Sequence, residues 1–298
     1  MHDSWRQILL NGGVVIIDGG TGSELRRRGV TLSPTAWSGT AADTHAELLR
    51  DIHLDYIDAG ADVITTNTFG TTRFVLEAAG LGADFERINQ QALWAALEAR
   101  ERSGRDVSIA GSISCLPPRF DVNAYPDHDT ELAAYIELAQ LLADNGADML
   151  VLEMMQETQH AVRAAEAAKR TGLPLWLGLS CRMNAAGELV GYDFPQQAFA
   201  ATLETLAALE PDAINIMHSP PGTILPALAA ARQSWHGVLG AYPEITSQLA
   251  AGGAEAVPDD NWIELCAGWR DAGAQILGGC CGTTPDQLRA LRQRGPWR

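Results

Sequence analysis

The sequence predicts an α/β fold, a single-domain (βα)8 barrel over residues 1–298, and three observations support this prediction. Short apolar runs alternate with longer stretches of helical period, which is typical of a parallel sheet with crossover helices. One short phrase recurs where a helix gives way to a strand. The runs are not followed by the glycine fingerprint of a dinucleotide site, so a closed barrel is favoured over an open sheet.

Eight apolar or β-branched runs are predicted to be the barrel strands. Their spacing of about 25 to 50 residues suits one strand, one helix and their loops. They are residues 14–18, 63–66, 107–111, 149–153, 175–180, 213–216, 237–241 and 276–279. Two further segments, around residues 116–129 and 244–260, are predicted to be long loops near the barrel mouth.

A repeated phrase marks the junctions between helices and strands. It reads Gly60-Ala61-Asp62, then Gly146-Ala147-Asp148, and finally Gly273-Ala274-Gln275. Glycine just past a helix end adopts the left-handed conformation that stops the helix. We therefore expect helices to end at these three glycines.

The charge and the cysteine content exclude several classes of function. The net charge of -16 would repel nucleic acid and anionic membranes, so a small-molecule substrate is expected. No window approaches the ~18 apolar residues of a membrane span, and the first ten residues lack a signal-peptide pattern. Five cysteines are an odd number in a chain too large to need disulfides, which indicates a reducing, cytoplasmic setting. The sequence does not decide whether the protein forms a homo-oligomer.

Polar residues stand at the carboxyl ends of the predicted strands, where barrels of this kind carry their chemistry. Asp18 and Glu153 are acids at the mouth of an apolar barrel, where they suit binding of an ammonium group or proton transfer. The alternative is that each caps the helix that follows it. A functional role is favoured for Glu153 because two methionines follow it, and for Asp18 because glycines beside it let a ligand approach the backbone.

Cys280 and Cys281 form the most specific motif. Two adjacent thiols between glycines, at the end of a strand, suit a soft or borderline metal such as zinc. Burial as two small apolar residues is the alternative. Cys115, Cys181 and Cys266 lack such a setting, and the last two are predicted to be packing residues.

Taken together, these motifs resemble the homocysteine S-methyltransferase family along nearly the whole chain. The resemblance rests on residues 18–22, 53–68, 111–112, 153, 242–243 and 278–285. It implies a (βα)8 barrel that methylates homocysteine to methionine, with Zn²⁺ on Cys280 and Cys281, which are the predicted catalytic residues. S-methylmethionine or a related sulfonium is the expected donor. The expected substrate-binding residues are Asp18, Gly19, Gly20, Thr21, Trp37, Asn67, Ser112, Glu153, Asn215 and Tyr242, with Trp37 at the methyl-donor pocket.

Two positions depart from the family pattern. Ile216 stands where the family has its third metal-binding cysteine, and isoleucine cannot bind a metal. His218 would lie on the same side of a continuing strand, and its imidazole could reach back to complete a Cys2His zinc site. Alternatively, His218 only forms hydrogen bonds in the loop. Glu244 replaces an asparagine that is frequent in the family, which suggests a changed substrate or donor contact.

Two alternatives to the methyltransferase follow from these departures. One is a barrel of the same descent with a weakened or lost zinc site that acts on another small methylated compound. The other is a non-catalytic amino acid binder.

Overall fold

The computed structural model, which describes residues 2–245 and 259–295, contains an eight-stranded parallel barrel. This confirms the predicted fold class, and each predicted run contributes one strand. The barrel strands are β1 (Val15–Ile16), β2 (Val63–Thr65), β3 (Ser108–Ser114), β4 (Met149–Met155), β5 (Leu175–Leu179), β8 (Ala213–Met217), β9 (Val238–Tyr242) and β10 (Ala274–Leu277). They pair in the order β2-β3-β4-β5-β8-β9-β10-β1.

The barrel closes between β1 and β2 through a short seam. Ile17 forms a parallel bridge to Val63, and the Asp18 amide donates to the Val63 carbonyl at 3.0 Å. Side chains add to the seam on both sides of this bridge: the Ile16 amide donates to the Asp62 carboxylate at 2.8 Å, and the Thr65 amide donates to the Asp18 carboxylate at 2.8 Å. The carboxylates of Asp62 and Asp18 thus accept hydrogen bonds at positions where the two-residue β1 forms no backbone hydrogen bonds with β2.

Helices surround the barrel, as the alternating pattern predicts. In chain order they are α1 (Ser4–Leu10), α2 (Thr21–Arg27), α3 (Ala41–Thr44), α4 (Ala46–Ala59), α5 (Arg73–Ala78), α6 (Phe85–Ser103), α7 (His128–Asp144), α8 (Thr158–Lys169), α9 (Phe199–Ala207), α10 (Pro221–Ser234), α11 (Asp259–Asp271) and α12 (Pro285–Arg294). The main apolar core lies between the helices and the strands. A second core fills the barrel, where Trp5 of α1 packs edge-on against Trp176 of β5.

The glycines of the repeated phrase end helices, as expected. Gly60 follows α4 with φ +113°, Gly146 lies just beyond α7 with φ +109°, and Gly273 lies just beyond α11 with φ +98°. A side chain would be strained in this left-handed conformation. Each glycine therefore turns the chain from the helix layer back into the barrel.

A hairpin between β5 and α9 was not predicted. Strands β6 (Cys181–Met183) and β7 (Leu189–Gly191) pair antiparallel outside the barrel sheet. The predicted loop around residues 116–129 is present and contains one 3-10 turn, Pro118–Phe120. Most of the other predicted loop, residues 246–258, lies outside the described residues. Among the described residues, no helix is long and apolar enough to cross a membrane.

Candidate active site

A cavity of about 610 Å³ opens at the carboxyl ends of the barrel strands. Most of the predicted site residues line it, although they come from distant parts of the chain. These are Asp18, Gly19, Gly20, Thr21, Trp37, Asn67, Glu153, His218, Tyr242, Cys280 and Cys281. The prediction that the chemistry gathers at this end of the barrel therefore agrees with the position of the cavity.

The two adjacent cysteines lie in a tight turn after β10. The Cys280 amide donates to the Pro243 carbonyl at 2.9 Å, and the Thr283 amide donates to the Cys280 carbonyl at 3.2 Å. The glycines are needed for close approach: a Cβ on Gly279 would lie 1.9 Å from Thr283 Oγ1, and Gly282 has φ +90°. The turn leaves both sulfurs partly exposed in the cavity, 4.0 Å apart. They are not buried packing residues.

His218 lies beside these two sulfurs, but the backbone conformation that places it there differs from the one predicted from the sequence. We expected its side chain to project on the same side of a continuing strand as Ile216. Instead β8 ends at Met217, and Ile216 is buried against the helix layer. His218 has φ +42°, a left-handed conformation that histidine tolerates better than most residues, and this turns its ring into the cavity.

The imidazole and the two thiols form a compact cluster. His218 Nδ1 lies 3.5 Å from Cys280 Sγ, and one ligand atom from each of the three residues lies within 4.8 Å of the others. The remaining cysteines of the chain, Cys115, Cys181 and Cys266, are buried and free. Within the described residues, this is the one group of three such side chains close enough to hold a metal ion.

The cluster favours one thiolate. A hydrogen bond from the Cys280 thiol lowers the pKa of Cys281, and contacts with His218 and Ser23 lower it further despite burial. The same pairing raises the pKa of Cys280. Burial lowers the pKa of His218, but the hydrogen bond to Cys281 and the charges of Cys281, Glu244 and Asp193 outweigh it and raise this pKa.

Asp18 lines the cavity and is also part of the barrel seam. Its carboxylate accepts from the Thr65 amide at 2.8 Å and from the Thr65 hydroxyl at 3.1 Å. Burial raises its pKa well above the ordinary value, and the nearby charge of Glu153 adds to this despite the bonds from Thr65. It does not cap α2, whose N-cap is Gly20.

Glu153 lies near the end of β4, with 9% of its surface exposed. Ser112 Oγ donates to its carboxylate at 2.5 Å. Burial raises the pKa of Glu153 to about 7, although the bond from Ser112 opposes the change. Glu153 does not cap the next helix, because Glu157 occupies that N-cap. Two buried carboxyls with raised pKa values therefore face one cavity, where a cationic group would be bound favourably.

Aromatic residues form the outer wall of the cavity. Trp37 contacts Phe120 edge-on, with ring centroids 6.1 Å apart. Asn67 fixes the segment after Trp37, because it donates to the Ser38 carbonyl at 2.8 Å and accepts from Ser38 Oγ at 2.7 Å. Deeper in the cavity, the Tyr242 hydroxyl is buried and has no hydrogen-bond partner within the described residues. A polar ligand group would satisfy it.

Three predicted positions do not line the cavity. Ser112 lies behind Glu153 and can act only through it. Asn215 lies inside the barrel, where its side chain fills the space left by Gly240. Glu244 is buried beside the cluster and influences it by its charge on His218. Ser112 and Asn215 therefore position residues of the site from below without lining the cavity.

Several residues that line the cavity were not predicted from the sequence. Tyr192 follows the unpredicted hairpin, and its ring centroid lies 5.0 Å from that of His218. Ser23 and Arg26 belong to α2, one helical turn apart. In the sequence, the hairpin is indicated only by the polar, glycine-containing turn at Asn184 and Gly187. The positions of Ser23 and Arg26 in the site could have been predicted, because their i, i+3 spacing after the glycine loop places them on one helix face.

The fold and this cluster define a barrel enzyme whose site is built around thiols. Two thiols, one imidazole and two buried carboxyls meet at the end of the barrel that supports catalysis in this fold.

Comparisons with known proteins identify the family. The family model for homocysteine S-methyltransferase matches residues 15–294. Homocysteine S-methyltransferase 1 of Arabidopsis thaliana is 26% identical over 94% of this chain and 93% of its own length. Selenocysteine Se-methyltransferase of Brassica oleracea var. italica is 26% identical over 95% of this chain and 89% of its own. The chain belongs to the homocysteine S-methyltransferase family and is a methyltransferase.

A solved structure agrees on the fold. The homocysteine methyltransferase MmuM from Escherichia coli, in its metallated form, superposes with a TM-score of 0.75 at 24% sequence identity. The match covers 98% of this chain and 100% of that one. The barrel is therefore shared over its whole length.

Proposed function

We propose that this protein transfers a methyl group from a sulfonium donor, such as S-methylmethionine, to the thiol of homocysteine, giving methionine. The observation that carries the proposal is the cluster of Cys280, Cys281 and His218 in one cavity with two buried carboxyls. Relatives named as homocysteine S-methyltransferases match nearly the whole chain, which supports the choice of acceptor.

The cluster fits a zinc ion. Two cysteine sulfurs and one imidazole nitrogen are an ordinary donor set for zinc, and they leave a fourth position for a substrate. We infer that Cys280, Cys281 and His218 hold Zn²⁺, and that Ile216 has no part in the site. When bound, zinc would supply the positive charge that keeps a coordinated thiol deprotonated at neutral pH.

The two carboxyls suit the ammonium group of the acceptor. Asp18 and Glu153 both line the cavity, and burial raises the pKa of each. An ammonium group between them would favour their ionised forms and be held by both. Ser112 positions the Glu153 carboxylate through its hydrogen bond. The acceptor would thus be held at its amino acid end, with its thiol directed to the cluster.

The reaction is a displacement at the methyl carbon. The acceptor thiol releases its proton to water, and its sulfur forms a bond to the methyl carbon as the bond from that carbon to the donor sulfur breaks. The electron pair stays on the donor sulfur, which becomes a neutral thioether. Tyr192, next to His218, offers an aromatic face to the positive donor. The cavity residues contribute by holding the reacting atoms in line.

Metal analysis tests the site directly. We expect about one zinc per chain in protein purified without chelator, and loss of that zinc in Cys280→Ser and Cys281→Ser variants that keep the wild-type circular dichroism. Cys266→Ala is the matched control, because Cys266 is buried in α11, away from the cavity, and should leave zinc in place. Folded wild-type protein without zinc would contradict the proposed metal site.

Turnover tests the reaction. We expect formation of methionine from homocysteine and S-methylmethionine, with loss of activity in the two cysteine variants. A zinc-loaded wild-type protein that binds homocysteine but transfers no methyl group from S-methylmethionine would refute the proposed reaction. Such a result would favour an amino acid binder.

A further inference from the structure

Arg26 occupies an unusual place in the cavity wall. Among the residues the structure describes, it is the only arginine or lysine that lines the cavity, and the acids Asp18, Glu153 and Asp193 line it too. Its neighbours in sequence, Arg27 and Arg28, both form ion pairs with Glu24. Arg26 has no acidic partner in the described part of the chain, so its charge is available to a ligand.

Helix α2 places Arg26 at the outer part of the site. The first turn of α2 docks on the cysteine turn, where the Gly282 amide donates to Ser23 Oγ at 3.1 Å. Arg26 lies three residues later on the same face, roughly 4.5 Å further along the helix axis. A ligand that reaches from the cluster toward the cavity mouth would therefore meet the guanidinium group.

Trp37 supports this guanidinium group. Arg26 Cζ lies 4.7 Å from the centroid of the Trp37 ring. Trp37 can approach α2 this closely because residue 22 is glycine: a Cβ there would lie 2.4 Å from Trp37 Nε1. Stacking on an aromatic face leaves the planar N–H groups of arginine free to bind a carboxylate with two hydrogen bonds.

The position of Arg26 bears on the methyl donor rather than on the acceptor. Arg26 already covers one face of Trp37, so this face is not open to the positive sulfur of the donor. The proposed function assigns the buried Asp18 and Glu153 to the acceptor's ammonium group, so we assign the exposed Arg26 to the donor. An isolated cation there would repel a donor that carries only positive charge.

We propose that Arg26 is a specificity-determining residue that binds the carboxylate of a zwitterionic methyl donor. This inference rests on the proposed function and specifies the donor: it carries both a methylated onium group and a carboxylate. Arg26 then selects such donors over onium compounds that lack the carboxylate. The stacking on Trp37 holds the guanidinium group ready before the donor binds.

Kinetics with two donors test the inference. Homocysteine is methylated with S-methylmethionine or with the carboxamide of S-methylmethionine, which keeps the sulfonium and lacks the carboxylate. We expect Arg26→Gln to raise KM for S-methylmethionine about 10-fold, with KM for the carboxamide and for homocysteine unchanged. Arg26→Lys should recover part of the loss, because it keeps the charge but not the planar group. Arg27→Gln, one residue away and outside the cavity wall, should behave as wild type.

Other outcomes would overturn the inference. An equal rise in KM for both donors would mean that Arg26 only supports Trp37, and a rise in KM for homocysteine alone would assign its charge to the acceptor. If wild-type protein methylates homocysteine from neither donor, the proposed function fails. Calorimetric titration with S-methylmethionine and its carboxamide then still tests Arg26: binding that is tighter for the carboxylate, and weakened by Arg26→Gln, supports the inference, and equal binding refutes it.

Discussion

Replacing Glu153 by glutamine should make the protein's stability less sensitive to pH. Burial raises the pKa of Glu153 from an ordinary value of 4.5 to about 7. Between these two values the unfolded chain has lost the proton that the native state keeps. The free energy of unfolding therefore falls by about 1.36 kcal/mol for each pH unit in that window. Over this window of about 2.5 pH units, the free energy of unfolding falls by about 3 kcal/mol in total, and this loss is complete above pH 7.

The glutamine variant lacks this proton equilibrium but can still accept a hydrogen bond from Ser112 Oγ. We expect the stability of Glu153→Gln relative to wild type to increase by about 2 kcal/mol between pH 5.5 and pH 8, measured by urea unfolding of zinc-free protein without substrate. Ser112→Ala is the companion variant. It removes a bond that favours the carboxylate, so the loss of stability should extend to higher pH. A stability difference between Glu153→Gln and wild type that does not change with pH would refute the reasoning.

Two further predictions concern His218 and Gly240. His218→Ala should weaken zinc binding by on the order of 100-fold or more, since loss of a residue that only supports a metal ligand already costs 10–100-fold. His218→Cys should retain zinc. Competition with a chelator measures the zinc affinity of both variants, and an alanine variant with wild-type affinity would exclude His218 as a ligand. Gly240→Ala should lower stability by about 1–3 kcal/mol in thermal unfolding, because the new Cβ would lie 2.0 Å from Asn215 Oδ1. Gly268→Ala is its control: a Cβ there meets nothing within 4 Å, so an equal loss would contradict the steric explanation.

The strands could be predicted from the sequence because each is a short apolar run bounded by clear stop signals. Their ends could not. Strand β1 is limited to Val15–Ile16 because the bonds that continue it toward β2 come partly from the Asp62 and Asp18 side chains. The hairpin of β6 and β7 was missed because three-residue strands are too short to show an alternating pattern.

The candidate site was predicted where local motifs are dense and missed where it depends on backbone geometry. Cys280 and Cys281 could be singled out because the glycines around them report the tight turn in which they lie. The approach of His218 depends on a φ of +42°, which reverses the direction expected from strand alternation. Arg26 could have been placed near the site from its i, i+3 spacing to Ser23. Its contact with Trp37 could not be predicted, because that contact depends on the packing of Trp37 against Gly22.

The dual position of Asp18 constrains how this barrel can change during evolution. Its carboxylate joins β1 to β2, where the circular sheet closes, and also lines the cavity. Asparagine could accept one of the bonds from Thr65 but would offer no charge to a ligand, whereas alanine would lose both contributions. Altered substrate preference in descendants of this protein should therefore arise at positions such as Tyr192 or Arg26, which can vary without breaking the junction between β1 and β2.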